Sequence, residues 1–267
     1  MIRFKSALLA ALLGIIVCGA SDAAGKTYYV GTEAAYAPFN YVDEAGAVDG
    51  YDAAVVRAID ELLPDAEFEF VPTDWSAIFV ALESGRFDAI ASTISRTEER
   101  QKKYLFSEEP YLYMANAIIT KGGRTDIKGV KDLHGKTVAL GIGTANTLAL
   151  EKYNEENGNP INVIYTDGEL SKTLQEVING RADAFLANPV AVTKFTKEQG
   201  IGVEIIIWRE RGVGACYLLF ANSENGRKLK ELTDPVLEKL KADGTLAELS
   251  NRYLGADYTS EAALLGE

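Results

Sequence analysis

After Lys26 the chain switches repeatedly between two hydrophobic periods. "TYYVGT", "EFEFV" and "FDAIAS" carry the pattern of short strands, whereas "YDAAVVRAIDELL" and "WSAIFVALES" space their apolar residues along one helix face. A second series has the same rhythm. "KTVALGI", "INVIYT", "ADAFLA" and "VEIIIW" read as strands, interleaved with helical "NTLALEKYNEE", "LSKTLQEVING" and "VAVTKFTKEQ". Such alternation predicts an α/β fold of parallel sheets covered by helices on both faces. The strands are too many for one compact sheet, so two lobes are expected. "YLYMANAIIT" and "GVGACYLLFAN" flank the second series and read as paired crossings between the lobes. The helices "NGRKLKELTDPVLEKLKADG" and "TLAELSNRYLG" then return to the first lobe, and the tail after Gly255 is expected to fray. One lobe is thus assigned residues 26–112 plus 216–267 and the other 113–215, with both crossings at the ends of the second.

The first residues follow neither rhythm. Arg3 and Lys5 precede "ALLAALLGIIV", an apolar run too short to span a bilayer. "CGASDAAGK" follows, with Ser21 and Ala23 spaced as signal peptidase requires. Residues 1–23 are therefore expected to be a cleaved export signal and the mature protein to be periplasmic. "IVCG" also resembles a lipoprotein site that would acylate Cys18, but Val17 stands where a small residue belongs.

Composition mainly excludes. A net charge of −12 and a pI near 4.7 argue against nucleic acid or an anionic membrane as partner. Once the signal is removed, Cys216 is the remaining cysteine, so an internal disulfide is excluded and a buried, inert thiol is expected. His134, the sole histidine, lies in the polar turn "DLHGK" without a visible catalytic partner. One histidine and one cysteine do not make a zinc site, and no metal or cofactor is expected. The pairs Glu98–Glu99 and Glu155–Glu156 fit solvated helix faces.

Candidate chemistry gathers where strands hand over to helices. "VALGIGTANTLALEKYNEENGNPINVIYTD" runs strand, G-x-G-x-x-N, helix, strand and Asp167, in the manner of a dinucleotide fingerprint. Asn146, however, replaces the third glycine, where helix–strand packing wants no side chain. Gly143 and Thr144 in the same stretch sit at a helix start, whose free N–H groups and dipole attract an anion. The first lobe repeats the arrangement in "DAIASTISRTEERQKKYLFSEEPY", with hydroxyls at Ser92, Thr93 and Ser95 followed by Arg100. Ser95 with Glu98 also spells a capping box. The two junctions either grip one anion across a cleft, beyond the carboxyl ends of the strands, or simply cap their helices.

Seven ordered blocks, from "GTEAAYAPFNYVDEAGAVDGYD" through "DWSAIFVALESGRFDAI", "STISRTEER", "FSEEPY", "DLHGKTVALGIGT" and "GRADAFLANPVA" to "LKADGTLAELSNRYLG", give the mature chain a family likeness. It resembles the bacterial extracellular solute-binding proteins of family 3, such as the lysine/arginine/ornithine-, histidine- and glutamine-binding proteins. The resemblance implies a two-lobed type II periplasmic binding fold with two hinge-crossing strands. It implies a monomer that closes on one polar amino acid or derivative and delivers it to an ABC permease. Arg100 matches the arginine that pairs with the ligand α-carboxylate, a task suited to its planar fork. Ser92, Thr93 and Ser95 match positions that bind through backbone or hydroxyl groups, and Thr144 and the Ala145 N–H match the second lobe's grip on the same carboxylate. Tyr36 and Trp75 match aromatics that sandwich the ligand side chain, and Glu33 matches an acidic position reading its polar end. One departure stands out. The family's ammonium-binding aspartate falls on Asn188 when counted without a gap from Asp183, and on Ala187 when aligned on Pro189. The fold also serves soluble enzymes such as cyclohexadienyl dehydratases, in which Glu33 would act as an acid.

Overall fold

The computed structural model describes residues 25–262, so the expected export signal and Cys18 lie outside the described residues. Two mixed sheets form the frame. The first has the order β5 (Ala66–Pro72), β1 (Lys26–Thr32), β6 (Ala89–Ser95), β14 (Gly214–Phe220) and β7 (Leu105–Phe106), with β8 (Leu112–Met114) also paired to β14. The second has the order β11 (Asn162–Thr166), β10 (Thr137–Gly141), β12 (Ala184–Ala187), β9 (Ala117–Lys121) and β13 (Val203–Ile207). A small antiparallel sheet of β2 (Ala35–Tyr36), β3 (Asn40–Val42) and β4 (Val48–Asp49) is attached to the first lobe.

The expectation of parallel sheets needs correction. β1 runs parallel to β5 and β6, and β10 runs parallel to β11 and β12, but β14 is antiparallel to β6 and β9 is antiparallel to β12. The reason is topological. The strands followed by helices carry the chain towards the cleft, whereas β9 and β14 enter their lobes from the hinge and run away from it. They are the segments read as crossings, and each becomes a sheet member on arrival.

Eight helices cover these sheets among the described residues: α1 (Tyr51–Asp60), α2 (Trp75–Glu83), α3 (Glu98–Lys103), α4 (Ala145–Glu156), α5 (Leu170–Ile178), α6 (Pro189–Gln199), α7 (Glu224–Ala242) and α8 (Thr245–Leu254). Burial follows the sequence period. α1 buries Tyr51, Val55 and Ile59, one turn apart, and α5 buries Leu170, Leu174 and Val177. Each such side chain contributes roughly 1.5–3 kcal/mol of transfer free energy. No helix among the described residues is long and apolar enough to cross a membrane.

Two local expectations also change. Ser95 is not a helix cap, because β6 stays paired through it, opposite Cys216. The chain turns later, and the Thr97 hydroxyl caps α3 by accepting the Arg100 N–H at 3.2 Å. The tail does not fray directly after Gly255. The Tyr258 carbonyl accepts the Tyr113 N–H at 2.7 Å, the Ser250 hydroxyl donates to the Ala256 carbonyl at 2.7 Å, and Thr259 is buried.

Candidate functional site

A cavity of about 120 Å³ lies between the lobes at the cleft ends of the strands. The first lobe contributes Glu33, Tyr36, Trp75, Ser92, Thr93, Ser95 and Arg100 to its lining, and the second contributes Thr144 and Ala145. Every candidate residue named from the sequence therefore meets there except Asn188.

Arg100 is the chemical centre of one end. It sits on α3, only 7 % exposed, because β6 ends directly beneath the cleft and Thr97 turns the chain back over it. Its Nη1 donates to the Ser95 carbonyl at 3.0 Å, and its Nη2 reaches across to the Gly143 carbonyl of the other lobe at 2.9 Å. The guanidinium carbon lies 4.7 Å from the Phe79 ring centre and 5.5 Å from that of Trp75. Burial pulls its pKa down to about 10, outweighing the opposing influence of Cys216, Tyr104 and Glu99. Neutral carbonyls and rings thus hold a buried cation, an arrangement completed by an anion.

The second lobe faces it with the start of α4. The Thr144 hydroxyl accepts the Thr147 N–H at 3.1 Å, so this side chain is already a cap. Ala145 and Asn146, which also line the cavity, stand in the first turn, whose N–H groups have no acceptor within their own helix. The Trp75 Nε1–H donates to the Ile142 carbonyl at 3.0 Å, a second hydrogen bond across the cleft. The indole lies against Gly168, where an added Cβ would come within 2.8 Å of the ring.

The other end is acidic. Burial pushes the Glu33 carboxyl up to about 7, and Glu169, Asp52, Asp74 and Asp167 add to the shift. Asp74, Asp167 and Glu169 line an adjoining cavity with Glu33. Lys172, which lines the same adjoining cavity, pairs with Asp167 at 2.6 Å and Glu169 at 2.7 Å. Tyr36 stacks on Phe39 with ring centres 5.4 Å apart, and its hydroxyl meets the backbone of Asn188. Burial, with Glu33 nearby, holds the Tyr36 hydroxyl well above its usual pKa.

Asn188 has a different place. Its side-chain oxygen accepts the Val190 N–H at 2.8 Å and the Ala191 N–H at 3.4 Å, capping α6. The cavity wall beside it is Ala187. Neither register therefore brings a carboxylate to this wall. Sequence reasoning missed Asn116 and Met114 on the hinge, Thr173 on α5, and Phe185 and Leu186 on β12, all of which line the cavity. Their sequence contexts are those of ordinary core or helix positions, and no motif marks them.

The profile of the bacterial extracellular solute-binding proteins, family 3, matches residues 28–256. The chain belongs to this family. The L-cystine-binding protein TcyJ of Bacillus subtilis is 33 % identical over 246 residues, covering 91 % of this chain and 89 % of its own. A putative L-cystine ABC transporter protein from Listeria monocytogenes superposes with a TM-score of 0.80 at 32 % identity, over 88 % of this chain and 99 % of its own. An ancestral arginine-binding protein bound to arginine does so with a TM-score of 0.76 at 30 % identity, over 87 % and 100 %. As a family 3 solute-binding protein the chain is an exported, two-lobed receptor of an ABC importer, and the cavity lies between its lobes.

Proposed function

We propose that this protein captures a polar amino acid or amino-acid derivative through its carboxylate, in the periplasm and as a monomer, and presents it to an ABC permease. Residues 26–112 plus 216–267, the last five of which lie outside the described residues, form one closing body and 113–215 the other. The observation that carries this reading is Arg100, a buried cation held by carbonyls and rings with no carboxylate of the described chain bonded to it. Its fork takes the carboxylate, helped by Ser95 and by the first-turn N–H groups at Ala145. Ser92 and Thr93 line the same end, Thr144 fixes the start of α4, and Tyr36 and Trp75 form the walls.

Glu33 takes the ligand's positive charge. It is the only carboxylate lining the central cavity among the described residues, since Asn188 is engaged as a cap. The named binding of L-cystine by relatives makes L-cystine the first ligand to try, followed by L-arginine and L-glutamine. We read the role as binding rather than catalysis, so incubation with prephenate should leave it unchanged. The deciding experiment is calorimetry with each amino acid and its carboxamide. Binding of the free acids and loss of the amides is expected, and equal binding of both would overturn the carboxylate reading.

A further inference from the structure

Two residues beside the cavity adopt a backbone conformation that side chains disfavour. Ala34 has φ 54° and Thr93 has φ 48°, although neither is glycine. Such positions persist only where the surroundings over-determine them. Each is held by one backbone N–H. The Ala34 N–H donates to Asn40 Oδ1 at 3.0 Å, and the Thr93 N–H donates to the Tyr111 hydroxyl at 3.1 Å.

Both lines of bonding converge. Asn40 Nδ2 donates to Asp52 Oδ2 at 2.7 Å, and the Tyr111 hydroxyl donates to Asp52 Oδ1 at 2.8 Å. Asn40, Asp52 and Tyr111 are all buried, and none of them lines the cavity. The two strained segments are also tied to each other, because the Glu33 N–H donates to the Ser92 hydroxyl at 3.3 Å.

We infer that Asp52 is a positioning residue for the solute site, whose two carboxylate oxygens fix the Glu33–Ala34 and Ser92–Thr93 segments through Asn40 and Tyr111. The inference rests on the function proposed above only in what those segments bind. A carboxylate suits the place because it offers an acceptor to each arm. An asparagine offers one acceptor oxygen, so Asn40 and Tyr111 would compete for it while its NH₂ faces a donor. The Thr93 N–H also acts on the Asp52 carboxyl directly, and together these donors oppose a burial effect that still lifts its pKa to about 7.

The arms give the inference a test that a general structural role would not pass. Amide hydrogen exchange is measured by NMR on the full mature chain without ligand. Asp52→Asn is expected to speed exchange at Ala34 and Thr93 by about tenfold or more while the core amides of β10 keep wild-type rates. Tyr111→Phe should speed Thr93 alone, and Asn40→Ser should speed Ala34 alone. Wild-type rates at both amides in Asp52→Asn, or equal acceleration of both by either single-arm variant, would overturn the inference. Should Asp52→Asn fail to fold, the single-arm variants still decide. L-cystine titration of the same proteins then reads the consequence, with an expected loss of affinity of about tenfold in Asp52→Asn. A wild-type chain that binds none of L-cystine, L-arginine and L-glutamine would defeat the proposed function and leave the amide result standing.

Discussion

The two ends of the cavity solve opposite problems with different materials. At the Arg100 end the charge is a single buried cation, and the groups in contact with it are neutral: two carbonyls and two rings, with the start of a helix opposite. At the Glu33 end the charge is plural, with Asp74, Asp167 and Glu169 crowding one carboxylate and Lys172 partly offsetting them. A lone cation in a neutral shell demands its counter-charge in a fixed geometry. A crowded acidic end attracts positive charge over a wider area and fixes its position less sharply. The difference suggests one end built for a constant group and another for a variable one.

Substitutions at three positions probe this contrast. The largest effect is expected from Arg100→Ala, which should weaken binding of a carboxylate ligand by about 2 kcal/mol or more while the fold persists. Near-unchanged affinity in calorimetry would remove the distinction between the ends. Glu33→Gln should cost a cationic ligand about 1.5 kcal/mol and a neutral one much less. The wild-type affinity for a cation should also fall as pH drops through about 7, because that ligand prefers the ionised Glu33. A flat pH profile in Glu33→Gln, against a sloping one in the wild type, would sharpen the assignment.

Without ligand the sign reverses. Glu33 and Asp52 have pKa values raised by folding to about 7, so the fold binds their protons more tightly than the unfolded chain does. Their stabilising contribution is full below the ordinary carboxylate range and is lost as pH rises through about 7. Thermal unfolding of the apo protein at about pH 5.5 and pH 8, compared with Glu33→Gln, should show a smaller difference in the variant. The smallest effect concerns the wall between the ends. Asn188→Ala should cost about 1 kcal/mol of stability through the lost α6 cap, whereas Asn188→Asp, itself a good cap, should leave stability and ligand preference near wild type. A large gain in L-amino-acid affinity in Asn188→Asp would show that this position does reach the ligand.

Much of this architecture is legible along the chain, because each strand-to-helix junction carries its own turn and capping residues. Strand direction is not, since a two-residue period looks the same read either way; β9 and β14 are antiparallel for reasons of hinge topology that no local pattern encodes. The β2–β3–β4 sheet escapes notice because strands of two or three residues are too short to show periodicity. Arg100 and Glu33 stand out through family likeness, but Asp52 looks like any acidic residue in a first helical turn. Only the fold reveals that its oxygens meet Asn40 and Tyr111, from elements far apart in sequence. Asn188 illustrates the converse: a plausible ligand position by alignment, already engaged as a cap.

Gly168 has a mechanical meaning beyond the room it leaves for the indole. The Trp75 indole lies on bare main chain, so the gap between the lobes at this point is gauged by the absence of one methyl group. A receptor whose gap is set this way resembles a valve seat, where a single added atom decides whether the unit seals or leaks.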